Sequence, residues 1–304
     1  MVAPVQPAAL PNTPTREEFA DRLLKGSVKK SYAPIVDMDW DAPLEPDKFF
    51  LPPEVVTLYG TPEWAAMSRA QQIELSRQEL VNILSAGIWF ENILNQALLR
   101  DLMHKNPTAS TTHYALTELG DETRHMVMFG KTIGRIGGIP VRPKLFQRMV
   151  INALPFTFRG SVLWGAALVG EEIFDALQRQ IMEDPDLQPI VQRLMRIHVT
   201  EEARHIQFAR DGLRKSVPTM PRYRRVLLAN VHGLGGPFYR MLFTLPIQYH
   251  RAGLDGTQMR RVARANPHFR QMCVTSFASL GAFFEEVGLM GRIGRRTWRR
   301  AGFL

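Results

Sequence analysis

Two short stretches of the chain carry the same order of chemistry-bearing residues. "GDETRHMVMFG" (residues 120–130) contains Asp121-Glu122-Thr123-Arg124-His125, and "TEEARHIQFAR" (residues 200–210) contains Glu201-Glu202-Ala203-Arg204-His205. On a helix, residues three apart share a face. Glu122 with His125, and Glu202 with His205, can therefore each present a carboxylate and an imidazole to one cation. A lone Glu-x-x-His arises by chance in many helices. Two of them, each with arginine before histidine, are much harder to obtain by accident. Two further glutamates lie on apolar stripes. Glu91 sits among Leu84, Ile88, Leu94 and Leu98, and Glu171 among Trp164, Leu168 and Phe174, at one- and two-turn spacings. Such spacing turns a carboxylate toward the interior of a helical assembly. Left alone there it would be costly, and a cation removes the cost. Hard carboxylate oxygens with imidazoles suit iron or manganese.

Several neighbours compete for roles. Glu172 is a rival to Glu171; one residue is a rotation of roughly 100°, so both cannot face inward. His198 lies one turn before Glu202, so His198, Glu202 and His205 line one face with Met195 and Val199. It is either a further ligand or a histidine packed beside the site. A ligand histidine usually donates its other ring N–H to a carboxylate. Asp121 and Glu201 could each support the histidine of the opposite motif, and Asp175, one turn beyond Glu171, is a third candidate. Glu118 shares the face of Glu122. The histidines at 104, 113, 232, 250 and 268 lie outside the pattern.

The elements that must position these residues read as helices. Strand-like alternation is almost absent. Thr15 and Glu18 form a capping box for a short helix, followed by a Pro- and Asp-rich linker at 33–53. Ser68 and Gln71 cap a helix that meets no breaker until Asn106-Pro107, roughly 35 residues or 50 Å. A second long helix spans about 109–135. A third, in 145–183, is broken near Pro155, and a fourth runs over about 187–215. A stretch at 221–242 should end or bend at "GLGGP", and a last helix is expected over about 257–290. One Glu from each of two helices plus Glu-x-x-His from each of two others is the ligand set of di-iron and di-manganese four-helix bundles. The expected fold is therefore all-α: a ferritin-like four-helix bundle with additional N- and C-terminal helices. Residues 1–60 form a Pro-rich tail, short helix and linker, and 61–304 the di-metal domain.

Bulk composition excludes several alternatives. The chain has 304 residues, 45% of them hydrophobic, enough for a substantial core. It has one cysteine, Cys273, which rules out internal disulfides, iron–sulfur clusters and thiolate zinc sites. "MVAPVQPAALPNTP" is not a secretory signal, and no apolar run approaches the roughly 20 residues of a membrane helix. A soluble, cytoplasmic protein without membrane insertion is expected. The formal charge is +9, with much of the excess in "GRIGRRTWRR" at 291–300. No nucleic-acid-binding signature accompanies it, so a solvated basic end is the expectation.

These residues resemble the bacterial non-haem di-iron oxygenases of the p-aminobenzoate N-oxygenase (arylamine oxygenase) family. "DETRH" alone is similar to many di-iron hydroxylases; His198-x-x-x-Glu202-x-x-His205 is selective, because that family uses three histidines where most ferritin-like oxygenases use two. The resemblance covers about residues 70–215, more loosely to the C-terminus. It implies two iron ions, with manganese as the other possibility, held by Glu91, Glu122, His125, Glu171, His198, Glu202 and His205. It also implies O2 as co-substrate and N-oxygenation of an arylamine or similar small amine. No flavin or nicotinamide fingerprint is visible, so electrons must come from an external reductase or ferredoxin. A homodimer is the expected assembly. Hydroxylation or desaturation of an aliphatic substrate is the nearest alternative, and ferroxidase or iron handling a more distant one.

Overall fold

Capping and breaking residues set the helix limits in the computed structural model, which describes residues 14–304. The Pro-rich tail falls almost entirely outside that range. Helix α1 (Arg16–Lys29) opens on the Thr15–Glu18 capping box. α2 (Pro34–Asp37) and α3 (Pro62–Ala65) are single turns. α4 (Arg69–Leu102) opens on the Ser68–Gln71 box, and α5 (Ser110–Arg135) follows the Asn106-Pro107 break. α6 (Leu145–Thr157) runs through Pro155, so the break expected there falls instead before α7 (Ser161–Glu183), at Gly160, whose φ of 52° favours glycine. α8 (Pro189–Ser216) is followed by α9 (Arg222–Val231), α10 (Gly235–Phe243) and α11 (Pro246–Arg251). α12 (Gly256–Ala265), α13 (Pro267–Glu286) and α14 (Arg292–Ala301) complete the chain.

The fold is all-α and ferritin-like. α4 packs on α5 and α7 on α8, while α5–α8 and α4–α7 contacts close a four-helix bundle. α1 lies across α5 and α8, and α13 covers α7. No helix among the described residues is long and apolar enough to cross a membrane.

Three further segments depart from the sequence reading. The helix expected over 257–290 is two helices, α12 and α13. Proline disfavours helical backbone in the residue before it, and Asn266 accordingly takes ψ 118°. Its side chain accepts from His268 N–H (3.0 Å) and donates to the carbonyls of Thr57 and Tyr59 (3.0 and 2.9 Å). The Pro- and Asp-rich segment is also no free linker. Phe49 pairs in a single parallel bridge with Leu187, the Gln188 side chain bonds the backbone of Glu45 and Lys48, and Phe49, Phe50 and Leu51 enter the core. Hydrophobic side chains at its end fasten it to the bundle.

The basic C-terminal segment is the third. α14 is docked rather than free, because its indole is fully buried: Trp298 stacks on Phe277 with ring centroids 4.1 Å apart. The Trp298 Nε1–H donates to His232 Nδ1 (3.0 Å), and the other nitrogen of His232 bonds the carbonyl of Leu289 (2.9 Å). His232 must stay neutral to accept from the indole, and burial pushes its pKa down to about 4. The unfolded imidazole takes its proton first, near an ordinary pKa of about 6.5. Stability should therefore fall as pH drops from about 6.5 toward about 4, by at most about 3 kcal/mol from this group. His232→Gln keeps an acceptor for the indole and a donor for Leu289, and should flatten that part of the pH dependence. Urea unfolding of both proteins across this window checks it.

Candidate metal centre

Close helix approach sets up the site. A Cβ on Gly170 would lie 1.7 Å from the ring of Phe90, so only glycine lets α7 pack onto α4 there. The residues that follow each of them, Glu171 and Glu91, are buried in the bundle. α5 and α8 bring in the two Glu-x-x-His motifs, and Glu122, His125, Glu202 and His205 are fully enclosed, each 0% exposed.

The sequence-derived ligand candidates converge. Oxygen and nitrogen atoms of Glu91, His125, His198 and Glu202 form one cluster within mutual reach of a single ion. Glu122, Glu202 and His205 form a second, and Glu118, Glu122 and Glu171 a third. Glu202 belongs to the first two and Glu122 to the last two, so the groups make one continuous polar core. One nitrogen of each histidine faces it. His125 Nδ1 lies 2.8 Å from Glu122 and 3.3 Å from Glu202. His205 Nδ1 lies 3.0 Å from Glu122 and 3.5 Å from Glu202. His198 Nε2 lies 3.5 Å from Glu202 and 3.6 Å from Glu91.

The opposite ring nitrogens are held from outside. His125 Nε2 meets Glu201 at 2.9 Å, and His205 Nε2 meets Asp121 at 3.1 Å. Each supporting carboxylate comes from the other motif's helix, so the supports cross between α5 and α8. The arginines of the two motifs serve the same carboxylates: Arg124 bonds Asp121, and Arg204 lies 3.6 Å from Asp121 and 3.9 Å from Glu201. The partner of His198 is Gln178, whose Oε1 accepts from Nδ1 at 2.8 Å. Sequence reasoning missed Gln178. Its signal was its place two turns after Glu171, on the same stripe of α7.

Two neighbours point elsewhere. Glu172 is turned out to a two-pronged bond with Arg210 (2.6 and 2.5 Å). Asp175 bonds Arg179 at 2.8 Å and touches no histidine among the described residues; its one-turn offset from Glu171 aims it beside the cluster, not beneath a ring. Glu118, left without a role by the sequence, is fully inside the cluster.

The cluster is electrostatically incomplete. Burial, then the charges of Glu122 and Glu202, raise Glu91 well above the usual carboxylate range; burial and the same two neighbours do so for Glu171. Burial also pushes Glu118 up to about 8. Burial acts upward on Glu122 as well, but His205 and His125 outweigh it and hold that carboxyl low. Buried polar atoms are ordinarily hydrogen-bonded. Here both oxygens of Glu171 and of Glu202, one each of Glu91 and Glu122, His198 Nε2 and His205 Nδ1 have no hydrogen-bond partner. The orphaned atoms are on the inward sides of the groups that face one another. Four carboxylates, from Glu91, Glu122, Glu171 and Glu202, would neutralise two divalent cations, and three imidazoles complete a donor set suited to iron or manganese. The residues fit a pair of such ions.

Comparison with known proteins agrees with this geometry. The family model described as "P-aminobenzoate N-oxygenase AurF" matches residues 13–288. Uncharacterized proteins of Mycobacterium tuberculosis and Mycobacterium bovis are each 29% identical over 296 residues, covering 93% of this chain and 86% of theirs. With nearly its whole length matched by that model, and a buried Glu/His cluster able to hold metal, the chain belongs to the p-aminobenzoate N-oxygenase family.

Proposed function

We propose that the protein is a non-haem di-iron oxygenase that N-oxygenates an arylamine or similar small amine. Its metal ligands are Glu91, Glu122, His125, Glu171, His198, Glu202 and His205. The observation that carries this reading is the third histidine: His198 turns Nε2 toward Glu91 and Glu202, with Nδ1 held by Gln178. Iron bound there would supply O2 activation and oxygen transfer.

The protein's own residues prepare that chemistry. Glu201 and Asp121 fix a proton on Nε2 of His125 and His205, which leaves Nδ1 of each ring free as a donor to metal. Gln178 does the converse for His198, holding the proton on Nδ1 and freeing Nε2. Phe129 packs over both His125 and His198, with centroids 6.3 and 4.9 Å away. It bars water from that side of the cluster and limits how far the rings can turn. The electrons come from an external donor, a reductase or a ferredoxin.

Three outcomes test the reading. Protein produced with iron should carry about two irons per chain, measured by emission spectrometry; a single zinc and no iron would exclude it. Restoring Fe(II) to metal-free protein should raise the melting temperature, since a ligand at a hundred times its Kd stabilises by about 2.7 kcal/mol. Scanning calorimetry of both forms measures this. Finally, His198→Ala should lower iron content modestly but arylamine oxidation steeply, and Gln178→Leu should cost roughly 10–100-fold in iron affinity or turnover. A His198→Ala protein with wild-type O2 reactivity by stopped-flow absorbance would remove the histidine from the site.

A further inference from the structure

A cleft lined by arginines opens on the surface formed by the C-terminal helices. Arg240 of α10, Arg264 of α12, Arg270 of α13, and Arg299 and Arg300 of α14 surround a volume of about 270 Å³, and no acidic residue lines it. Elsewhere on the C-terminal half of the chain, Arg210, Arg214 and Arg295 pair with Glu172, Glu286 and Glu285. The five cleft arginines form no ion pair with the described residues. Burial, then the charges of Arg260 and Arg240, lower the Arg264 guanidinium below its ordinary value, a sign of the local excess of positive charge.

The cleft is built, not a chance meeting of loose side chains. Arg240 bonds the carbonyls of Ala301 (3.0 Å) and Arg264, tying the ends of α14 and α12 together. Gly302 permits this: it has φ +88°, and a Cβ there would lie 2.8 Å from the Arg240 guanidinium. Arg264 Nε is held by Thr244 Oγ1 at 3.0 Å. On this frame the exposed Arg270, Arg299 and Arg300 present their charges outward.

What lies behind the cleft narrows the partner. Arg240 follows Tyr239, Arg270 follows Phe269, Arg299 follows Trp298, and Gly302 precedes Phe303. All four aromatics are buried. Phe303 bridges Trp298 (5.3 Å between centroids) and Tyr239 (6.4 Å), and Phe243 joins Tyr239 (5.7 Å) to Phe269 (6.4 Å). The Tyr239 hydroxyl donates to the carbonyl of Gly170 at 2.8 Å, one residue before Glu171. Aromatic packing therefore runs from the cleft floor to the wall of the metal centre. The cleft is poorly equipped for a small phosphate. The α13 terminus that borders it spends its His268 N–H on the Asn266 side chain, and three of the five guanidinium groups, those of Arg270, Arg299 and Arg300, stand exposed at the rim.

We propose that this cleft docks the external electron donor, a small acidic iron–sulfur protein, against the aromatic cluster that adjoins the metal centre. The inference rests on the di-iron reading above. In each encounter the reduced donor loses one electron, and two encounters deliver the pair that the centre consumes; no bond is made or broken in the transfer. Unpaired guanidinium groups steer an acidic partner and fix its orientation.

The test uses an acidic plant-type [2Fe–2S] ferredoxin as probe. Calorimetric titration should show binding to both the iron-loaded and the metal-free protein, weakening as salt rises through the range in which the Debye length shrinks to about 10 Å. The double variant Arg299→Glu/Arg300→Glu, and separately Arg270→Glu, should each weaken binding by tenfold or more. Both should slow ferredoxin-driven reduction in proportion, while dithionite, which needs no docking, reduces wild type and variants alike. Having charge reversals on two different helices guards against one variant failing to fold. Wild-type and variant affinities that agree within twofold would overturn the proposal. So would inorganic pyrophosphate binding in the cleft without displacing ferredoxin, which would make it a small-anion site. Salt-sensitive, variant-sensitive binding to a protein that takes up no iron would leave the docking intact and remove the di-iron reading instead.

Discussion

The interaction on which the structure depends is the repulsion among carboxylates enclosed at the centre of the bundle. Glu91, Glu122, Glu171 and Glu202 come from four different helices, and all are buried. Two unit charges a few ångströms apart in such surroundings interact far more strongly than in water. Without cations the chain can only spread protons through the cluster, with Glu91 and Glu171 driven toward neutrality and His125 and His205 toward charge. That arrangement leaves inward-facing oxygens without hydrogen bonds. The same atoms are where two divalent ions would meet donors, so metal occupancy and bundle stability are parts of one balance.

The crossed supports turn that balance into a constraint on helix placement. Asp121 on α5 holds the histidine of α8, and Glu201 on α8 holds the histidine of α5. Sliding one helix along the other by a single turn would break both contacts together. Arg124 and Arg204 then offset the charge of the supporting pair from the outer side. This explains why the two motifs echo each other beyond the clustered glutamate and histidine: the preceding acidic residue supports the opposite ring and the arginine offsets its charge, in a nearly symmetric arrangement.

Much of this was legible because helical periodicity is local. The spacing of Glu122 and His125, and of Glu202 and His205, needs only a helix to be meaningful. The apolar stripe turned Glu171 inward, and its side chain lies in the cluster with Glu118 and Glu122 while Glu172 bonds Arg210. The capping boxes at Thr15 and Ser68 were readable for the same reason. What was not legible depends on partners distant in sequence. Gln178 looks like any polar residue until His198 is placed opposite it. Asp175 looked suitable by offset, yet a neighbouring arginine on its own helix claims it. The break at Asn266 is marked by Asn-Pro, but the carbonyls of Thr57 and Tyr59 that anchor it come from the far end of the chain.

The basic C-terminus illustrates the same limit and shows why the chain outlasts a bare four-helix bundle. Counted as composition, "GRIGRRTWRR" is a charge run; folded, it is a helix with one buried face. Trp298 is the only large apolar side chain on that face, and it gains Phe277, Phe303 and an acceptor in His232. The helix is thereby fixed against α10, while α13 lies against α7, the helix that carries Glu171. Tyr239 closes the link by bonding the carbonyl of Gly170, the glycine that allows α7 to meet Phe90. A bundle alone would leave that backbone carbonyl and the outer face of α7 to solvent. With the C-terminal helices in place the same face is an aromatic wall, so the dry surroundings of the carboxylate cluster are maintained by residues far beyond its last member, His205, in the sequence.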